Sequence, residues 1–288
     1  MSFNLKDYKK NTKDFSLEEP FDFVFYRPLA YVIIKATYKL PLTPNLFSLG
    51  ALFFAIIAGQ FLSKGTHESF IKGGLCILIF GILDCCDGML ARMKRNGSMY
   101  GELIDMFVDL LASINFYTGT FIGLKIAYAN SDTNFPYMIW PCAMLLMVHV
   151  GIYSFYKKQL IFYQSGNPNG RKREIDRYKR EYEKLKKEKK ELFNRFLLFL
   201  FLIFSDKQAN EKKRVEYHSD AYILYNKKIL PFWSVISGST HLSILAIALM
   251  INELEVYIYF AFFLANMWVF MTYMIQNGVN NKLKREQV

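Results

Sequence analysis

Long apolar stretches broken by short polar segments organise this 288-residue chain. A helix needs roughly 17 to 25 mostly apolar residues to cross the hydrocarbon core of a bilayer. Six stretches meet that length, at 46–62, 73–93, 102–127, 136–156, 232–251 and 256–276. The pattern predicts an all-α integral membrane protein with six transmembrane helices. It also divides the chain into an N-terminal segment (1–45), the first four helices (46–156), an insert (157–230), and the last two helices with a short tail (231–288).

Two regions outside these helices carry patterns of their own. Residues 21–39 mix aromatics with Arg27, Lys35 and Lys39 at helical spacing, which predicts an interfacial amphipathic helix with its basic residues toward lipid phosphates. Thr43, Pro44 and Asn45 read as a helix start, with Thr43 in the capping position and Pro44 in the first turn. The insert begins with a strongly charged helical stretch at 171–190, where pairs such as Glu181 with Lys184 support the helix. The apolar run at 192–204 is too short for an ordinary span, and a crossing there would reverse every later helix. We expect it to lie in or re-enter the membrane surface.

Charge adds orientation. The chain carries a formal net +11, and 33 of its 36 Lys and Arg fall on one side of the six helices, leaving Lys64, Lys72 and Lys125 on the other. By the positive-inside rule both termini and the insert are cytoplasmic, which predicts a protein of the cytoplasmic membrane. Basic charge so distributed matches a membrane surface and calls for no nucleic acid. A hydrophobic content of 52% fits the same reading. The first twenty residues lack the apolar core of a secretory signal, so the N-terminus is expected to be retained. Cys76, Cys85, Cys86 and Cys142 lie in apolar segments and read as small buried residues.

The chemistry sits where the apolar pattern is violated. Asp84, Asp87, Asp105 and Asp109 lie inside or at the mouths of two predicted spans. A carboxylate at a helix centre costs roughly 2.5 to 3.5 kcal/mol on insertion scales, so four cost on the order of 10 kcal/mol unless a cation offsets them. No Lys or Arg inside a neighbouring span supplies that cation. Asp84, Asp87, Gly88 and Ala91 share one helical face, as do Gly101, Asp105 and Asp109. A short connection makes the two helices antiparallel, and their stripes can converge on one cavity. Asp84 lies about 12 Å along the helix from Arg92, so the cavity opens toward the cytoplasm. Carboxylates without histidine suit hard cations such as Mg²⁺, Mn²⁺ or Ca²⁺ better than zinc. The small residues leave room beside them, and Arg92 offers a guanidinium fork for phosphate. Together they describe a site for metal and a diphosphate.

The run Asp84-x2-Asp87-Gly88-x2-Ala91-Arg92-x8-Gly101-x3-Asp105-x3-Asp109 resembles the full signature of the CDP-alcohol phosphatidyltransferases. Eight fixed residues would coincide by chance on the order of 10⁻¹⁰ times per starting position. The resemblance implies attack of an alcohol hydroxyl on the phosphorus of a CDP-linked substrate, with CMP expelled. It implies that Asp84, Asp87 and Asp105 hold two divalent ions with Asp109 beside them, and that Asp109 is the general base. It further implies that Gly88, Ala91, Arg92 and Gly101 cradle the CDP group and that Asn45 reaches the nucleotide. A homodimer is implied by the resemblance alone.

Donor and acceptor stay open. CDP-diacylglycerol with a polar alcohol is the reading we favour, and CDP-choline or CDP-ethanolamine with diacylglycerol is the alternative. An intramembrane prenyltransferase would need a second Asp-rich motif on separate helices. A divalent-cation transporter or channel would explain the carboxylates and has no need of the Gly88, Ala91, Arg92 and Gly101 pattern. Among other polar residues, His241 is a candidate to line the alcohol pocket, and His149 and Asn266 are weaker ones. Lys94, Arg95, Lys157 and Lys158 sit where an anionic head group would bind, but positive-inside placement is the reading we favour for them.

Overall fold

The computed structural model describes residues 15–94, 97–209 and 218–285. Eleven α-helices run in order among these: α1 (Arg27–Thr37), α2 (Pro44–Leu62), α3 (His67–Lys94), α4 (Met99–Ala127), α5 (Ile139–Gln164), α6 (Gly170–Glu188), α7 (Leu192–Ala209), α8 (Ser219–Trp233), α9 (Gly238–Met250), α10 (Leu254–Tyr259) and α11 (Ala265–Arg285). No strand occurs among the described residues. Among the described residues, six helical stretches are long and apolar enough to cross a membrane: Pro44–Leu62, His67–Lys94, Met99–Ala127, Phe135–Gln164, Ser219–Met250 and Leu254–Arg285. The chain is an integral membrane protein, as its hydropathy pattern predicts.

It divides into two units, one of Met1–Val150 with Ser234–Val269 and one of Gly151–Trp233 with Phe270–Val288. In the first unit, α2, α3 and α4 pack along their lengths by means of small residues. Ala51, Ala55, Ala58 and Gly59 form one buried stripe on α2. A Cβ at Gly119 of α4 would sit 2.5 Å from the Gly59 carbonyl oxygen, and one at Gly123 would sit 2.0 Å from that of Leu62. The backbones touch there, as membrane helices do when dispersion rather than water exclusion holds them together. Phe80 and Phe116 fill the same core edge to face, with ring centroids 5.4 Å apart.

The N-terminal helix differs from its expected form. A π-helical turn at Asp22–Tyr26, which buries Tyr26 and exposes Val24, leads into α1, which buries Arg27, Ala30, Tyr31 and Ile34 and exposes Val32. Arg27 does not face lipid phosphates. It is buried, with Nε 2.5 Å from Glu18 and Nη2 3.8 Å from Asp22. Burial opposes its charge, and the neighbouring carboxylates, led by Glu18, outweigh that effect and raise its pKa. Thr43 takes the extended N-cap conformation before α2, with Pro44 next, but its side chain makes no capping bond.

The stretch expected as the fifth span begins earlier than its hydropathy indicates. It comprises α8 and α9, separated by Pro231 near the end of α8 and a 3₁₀ turn at Ser234–Ile236. Pro231 lies within α8 and removes one bond of its ladder, and α9 starts afresh at Ser237, whose hydroxyl accepts a 3.5 Å hydrogen bond from the Thr240 N–H. In the second unit α6 and α7 form a helical hairpin. Tyr163 stacks on Tyr222 at 3.9 Å, and Tyr156 on Trp233 at 4.6 Å. Lys184 and Glu181 approach to 3.9 Å on α6.

Candidate active site

Asp84 and Asp87 lie within the last three turns of α3, and Asp105 and Asp109 within the first three of α4. The start of α4 is fixed by Ser98, whose hydroxyl accepts a 3.0 Å hydrogen bond from the Gly101 N–H. That cap sets the register in which Gly101, Asp105 and Asp109 follow at intervals of one turn. One carboxylate oxygen each from Asp84, Asp105 and Asp109 lie within 4.8 Å of one another. Asp84 and Asp105 are half-buried, and Asp109 is exposed.

Asp87 completes the constellation from below. It is 7% exposed, accepts a 2.6 Å hydrogen bond from the Ser48 hydroxyl of α2, and lies within hydrogen-bonding reach of the Asp105 carboxylate and the Gly88 N–H. Carboxylates this close repel unless a cation or a shared proton lies between them. The donor set is all oxygen, which fits Mg²⁺ or Mn²⁺. The thiols are spent elsewhere. Cys86 donates to the Ala30 carbonyl at 3.8 Å, and Cys85 and Cys86 both pack in the apolar cluster with Tyr26 and Tyr31.

The other candidates fall around this group in two pairs. A Cβ on Gly101 would lie 3.2 Å from Ser98 Oγ and 3.9 Å from Asn45 Oδ1, so Asn45 at the start of α2 borders Gly101. A Cβ on Gly88 would meet only Arg92 Nη1, at 3.4 Å, which leaves the surface between Gly88 and Arg92 open. Ala91 and Arg92 are half-buried beside them. Lys94 donates a 2.7 Å hydrogen bond to the Leu42 carbonyl and so ties the end of α3 to the approach to α2. Arg95 lies outside the described residues. Lys158 sits 3.6 Å from Glu174, and Lys157 lies over the Tyr153 ring at 4.7 Å.

His241 is fully buried. Its Nε2 lies 3.0 Å from His149 Nδ1 and its Nδ1 lies 3.3 Å from the Tyr257 hydroxyl. His149 Nε2 reaches Asn266 Oδ1 at 3.4 Å, and Tyr257 hydrogen-bonds Tyr117. The three polar residues singled out in separate spans thus belong to one network.

The sequence profile described as CDP-alcohol phosphatidyltransferase matches residues 41–169, from the approach to α2 through the end of α5. That match covers 129 of the chain's 288 residues and takes in the whole run from Asp84 to Asp109. Members of this family are transferases of phospholipid synthesis, and the chain carries all eight motif positions on α3 and α4. A comparison with curated proteins finds no match to the chain.

Sequence reasoning missed two parts of this candidate site. Ser48 is a lone hydroxyl on an apolar helix, three residues after Asn45 on the same face, and that spacing was the available signal. The segment before α1 was not readable. Glu19 accepts a 3.5 Å hydrogen bond from the Ser239 N–H, and Tyr26 shares a 2.7 Å hydrogen bond with Ser243, which brings residues 19–26 against α9. Burial pushes the Tyr26 phenol up to about 12, so it stays protonated for that bond.

Proposed function

We propose that this phosphatidyltransferase moves a phosphatidyl group from CDP-diacylglycerol to the hydroxyl of a small polar alcohol, releasing CMP. The observation that carries the reading is the convergence of Asp84, Asp105 and Asp109 within 4.8 Å, inside the motif that defines the family. Asp84, Asp87 and Asp105 are the residues to hold two divalent ions, with Asp109 beside them. When bound, Mg²⁺ or Mn²⁺ would supply the positive charge that offsets the diphosphate and the CMP leaving group.

The protein's own contribution is placement and proton transfer. Gly88, Ala91, Arg92 and Gly101 line the CDP group, Arg92 with its guanidinium toward phosphate and Asn45 toward the nucleotide. Asp109, the carboxylate with most access to the opening, accepts the proton of the attacking hydroxyl. The alcohol oxygen then bonds to phosphorus as the bond to the CMP oxygen breaks. The site faces the cytoplasm in this reading, because the basic loops lie at that end. His241 stands as a candidate border of the acceptor pocket through its place on α9.

The test is CMP release by the purified protein with CDP-diacylglycerol and a panel of alcohols, and with CDP-choline and diacylglycerol, each product identified by mass. The lipid product assigns the substrate pair. Asp109→Asn should lower the rate by about 10²- to 10⁴-fold, the usual contribution of a general base. Divalent metal uptake without CMP release would refute the enzymatic reading.

A further inference from the structure

We propose that the α6–α7 hairpin lies on the membrane surface and recognises anionic lipid. Its two helices present different chemistry on their open sides. On α7, Leu192, Phe193, Phe196, Phe199 and Ile203 are 72%, 53%, 45%, 47% and 50% exposed. At 100° per residue these five fall in one stripe about 120° wide. The opposite face carries Leu197, Leu198 and Phe201, all buried. The helix is therefore apolar toward its own unit and apolar on the side where the unit ends.

Helix α6 supplies the charge. Its buried side chains are Ile175, Tyr178 and Leu185, with Gly170 buried at its start, and its exposed residues comprise eight basic side chains against three acidic ones. The basic residues, from Lys172 to Lys187, spread over about half the helix circumference opposite the buried stripe. Built contacts join the two helices. Tyr178 packs on Phe201 with ring centroids 4.2 Å apart, Tyr182 stacks with Phe199 at 6.4 Å, and Arg171 reaches Ser205 at 3.4 Å while bonded to Glu174 at 2.6 Å.

A protein partner would satisfy the apolar stripe but leave the adjacent excess of positive charge without purpose. A lipid surface with negative head groups satisfies both. An in-plane helix sinks its apolar face about 5 to 10 Å into the boundary between head groups and chains. A packed neighbour lies about 8 to 10 Å away, which puts α6 at head-group level. The surface potential of anionic lipid acts over about 10 Å at ordinary salt, so the long Lys and Arg side chains of α6 reach it. The apolar part of α7, residues 192–203, is too short to span, and lying flat resolves that length.

The test uses the full chain in nanodiscs of phosphatidylcholine alone or mixed with phosphatidylglycerol. The four native cysteines are buried, so a label placed by Phe196→Cys is selective. That fluorophore should be quenched several-fold more by nitroxides on lipid chains than by aqueous iodide, in both lipid mixtures. A spin label at Arg180→Cys on α6 should lose accessibility to a soluble nickel chelate when phosphatidylglycerol is added, and regain it at high salt. Iodide quenching at residue 196 without lipid quenching overturns the proposal, as does protection from both, which would mean a protein partner. Equal nickel accessibility at residue 180 in the two mixtures overturns the anionic preference.

Discussion

The Ser48 hydroxyl donates a 2.6 Å hydrogen bond to an Asp87 carboxylate oxygen. This bond joins the helix before the motif to the motif itself, and it holds one oxygen of Asp87 in place. Partners of this kind typically govern metal affinity by 10- to 100-fold. Ser48→Ala should therefore raise the Mg²⁺ or Mn²⁺ concentration for half-maximal CMP release by about 10-fold. Ser48→Thr keeps the hydroxyl and should restore most of the affinity. If Ser48→Ala shifts only thermal stability, the bond is packing and not metal support.

The crowding of Asp84, Asp105 and Asp109 makes a second prediction about stability. Like charges within 4.8 Å of one another repel by about 3 kcal/mol or more per ionised pair at an effective dielectric constant of about 20, and a shared proton relieves part of it. In EDTA, Asp105→Asn should unfold at a higher temperature than the parent protein. Saturating Mg²⁺ should reverse that order, since the parent gains bound metal and the variant loses a ligand. A melting curve in mixed micelles with and without metal checks both signs.

Hydropathy made the six spans legible because each needs only length and apolar content. The aspartates were legible for the opposite reason, since charge inside a span demands a partner. What could not be read depends on contacts between distant residues. Arg27 has the spacing of a lipid-facing residue on an isolated helix, yet Glu18 lies nine residues earlier in a segment with no periodic signal, and the pair turns that face inward. His149 and His241 are 92 residues apart, and nothing in either span announces the other. The break at Ser234–Ile236 is likewise invisible to a hydropathy window, which averages over the turn.

The close approach of α2 and α4 gives a third prediction, in which sign is the issue. An exposed helical Gly→Ala change stabilises by about 1 kcal/mol through propensity alone. At Gly123 the added methyl would lie 2.0 Å from the Leu62 carbonyl oxygen, so the backbones must separate. Gly123→Ala should lower the melting temperature and reduce CMP release, because α2 carries Asn45 and Ser48 to the site. Gly151→Ala, where nothing lies within 4 Å, should be neutral or stabilising. Equal effects at the two positions would show that propensity, not contact, decides.

The buried network around His241 can be assigned proton by proton. The Asn266 amide nitrogen donates to the Ala261 and Phe262 carbonyls, so its oxygen faces His149 and must accept from Nε2–H. With both rings neutral, His149 Nδ1 is then an acceptor, and His241 must donate to it from Nε2–H. His241 Nδ1 accepts from the Tyr257 hydroxyl, which accepts in turn from Tyr117. Both histidines should therefore show the Nε2–H tautomer in nitrogen NMR spectra of the micellar protein. His241→Leu strands His149 Nδ1 and the Tyr257 hydroxyl, at about 1 to 3 kcal/mol for buried groups left unpaired. His149→Leu with His241→Leu should cost less than the sum of the single changes, because the second removes a group the first has already stranded. Additive losses, or a ring in the Nδ1–H form, would contradict the assigned order. Unchanged CMP kinetics in the folded fraction would mark the network as a clasp among helices, whereas a raised KM for the alcohol would connect His241 to the acceptor pocket.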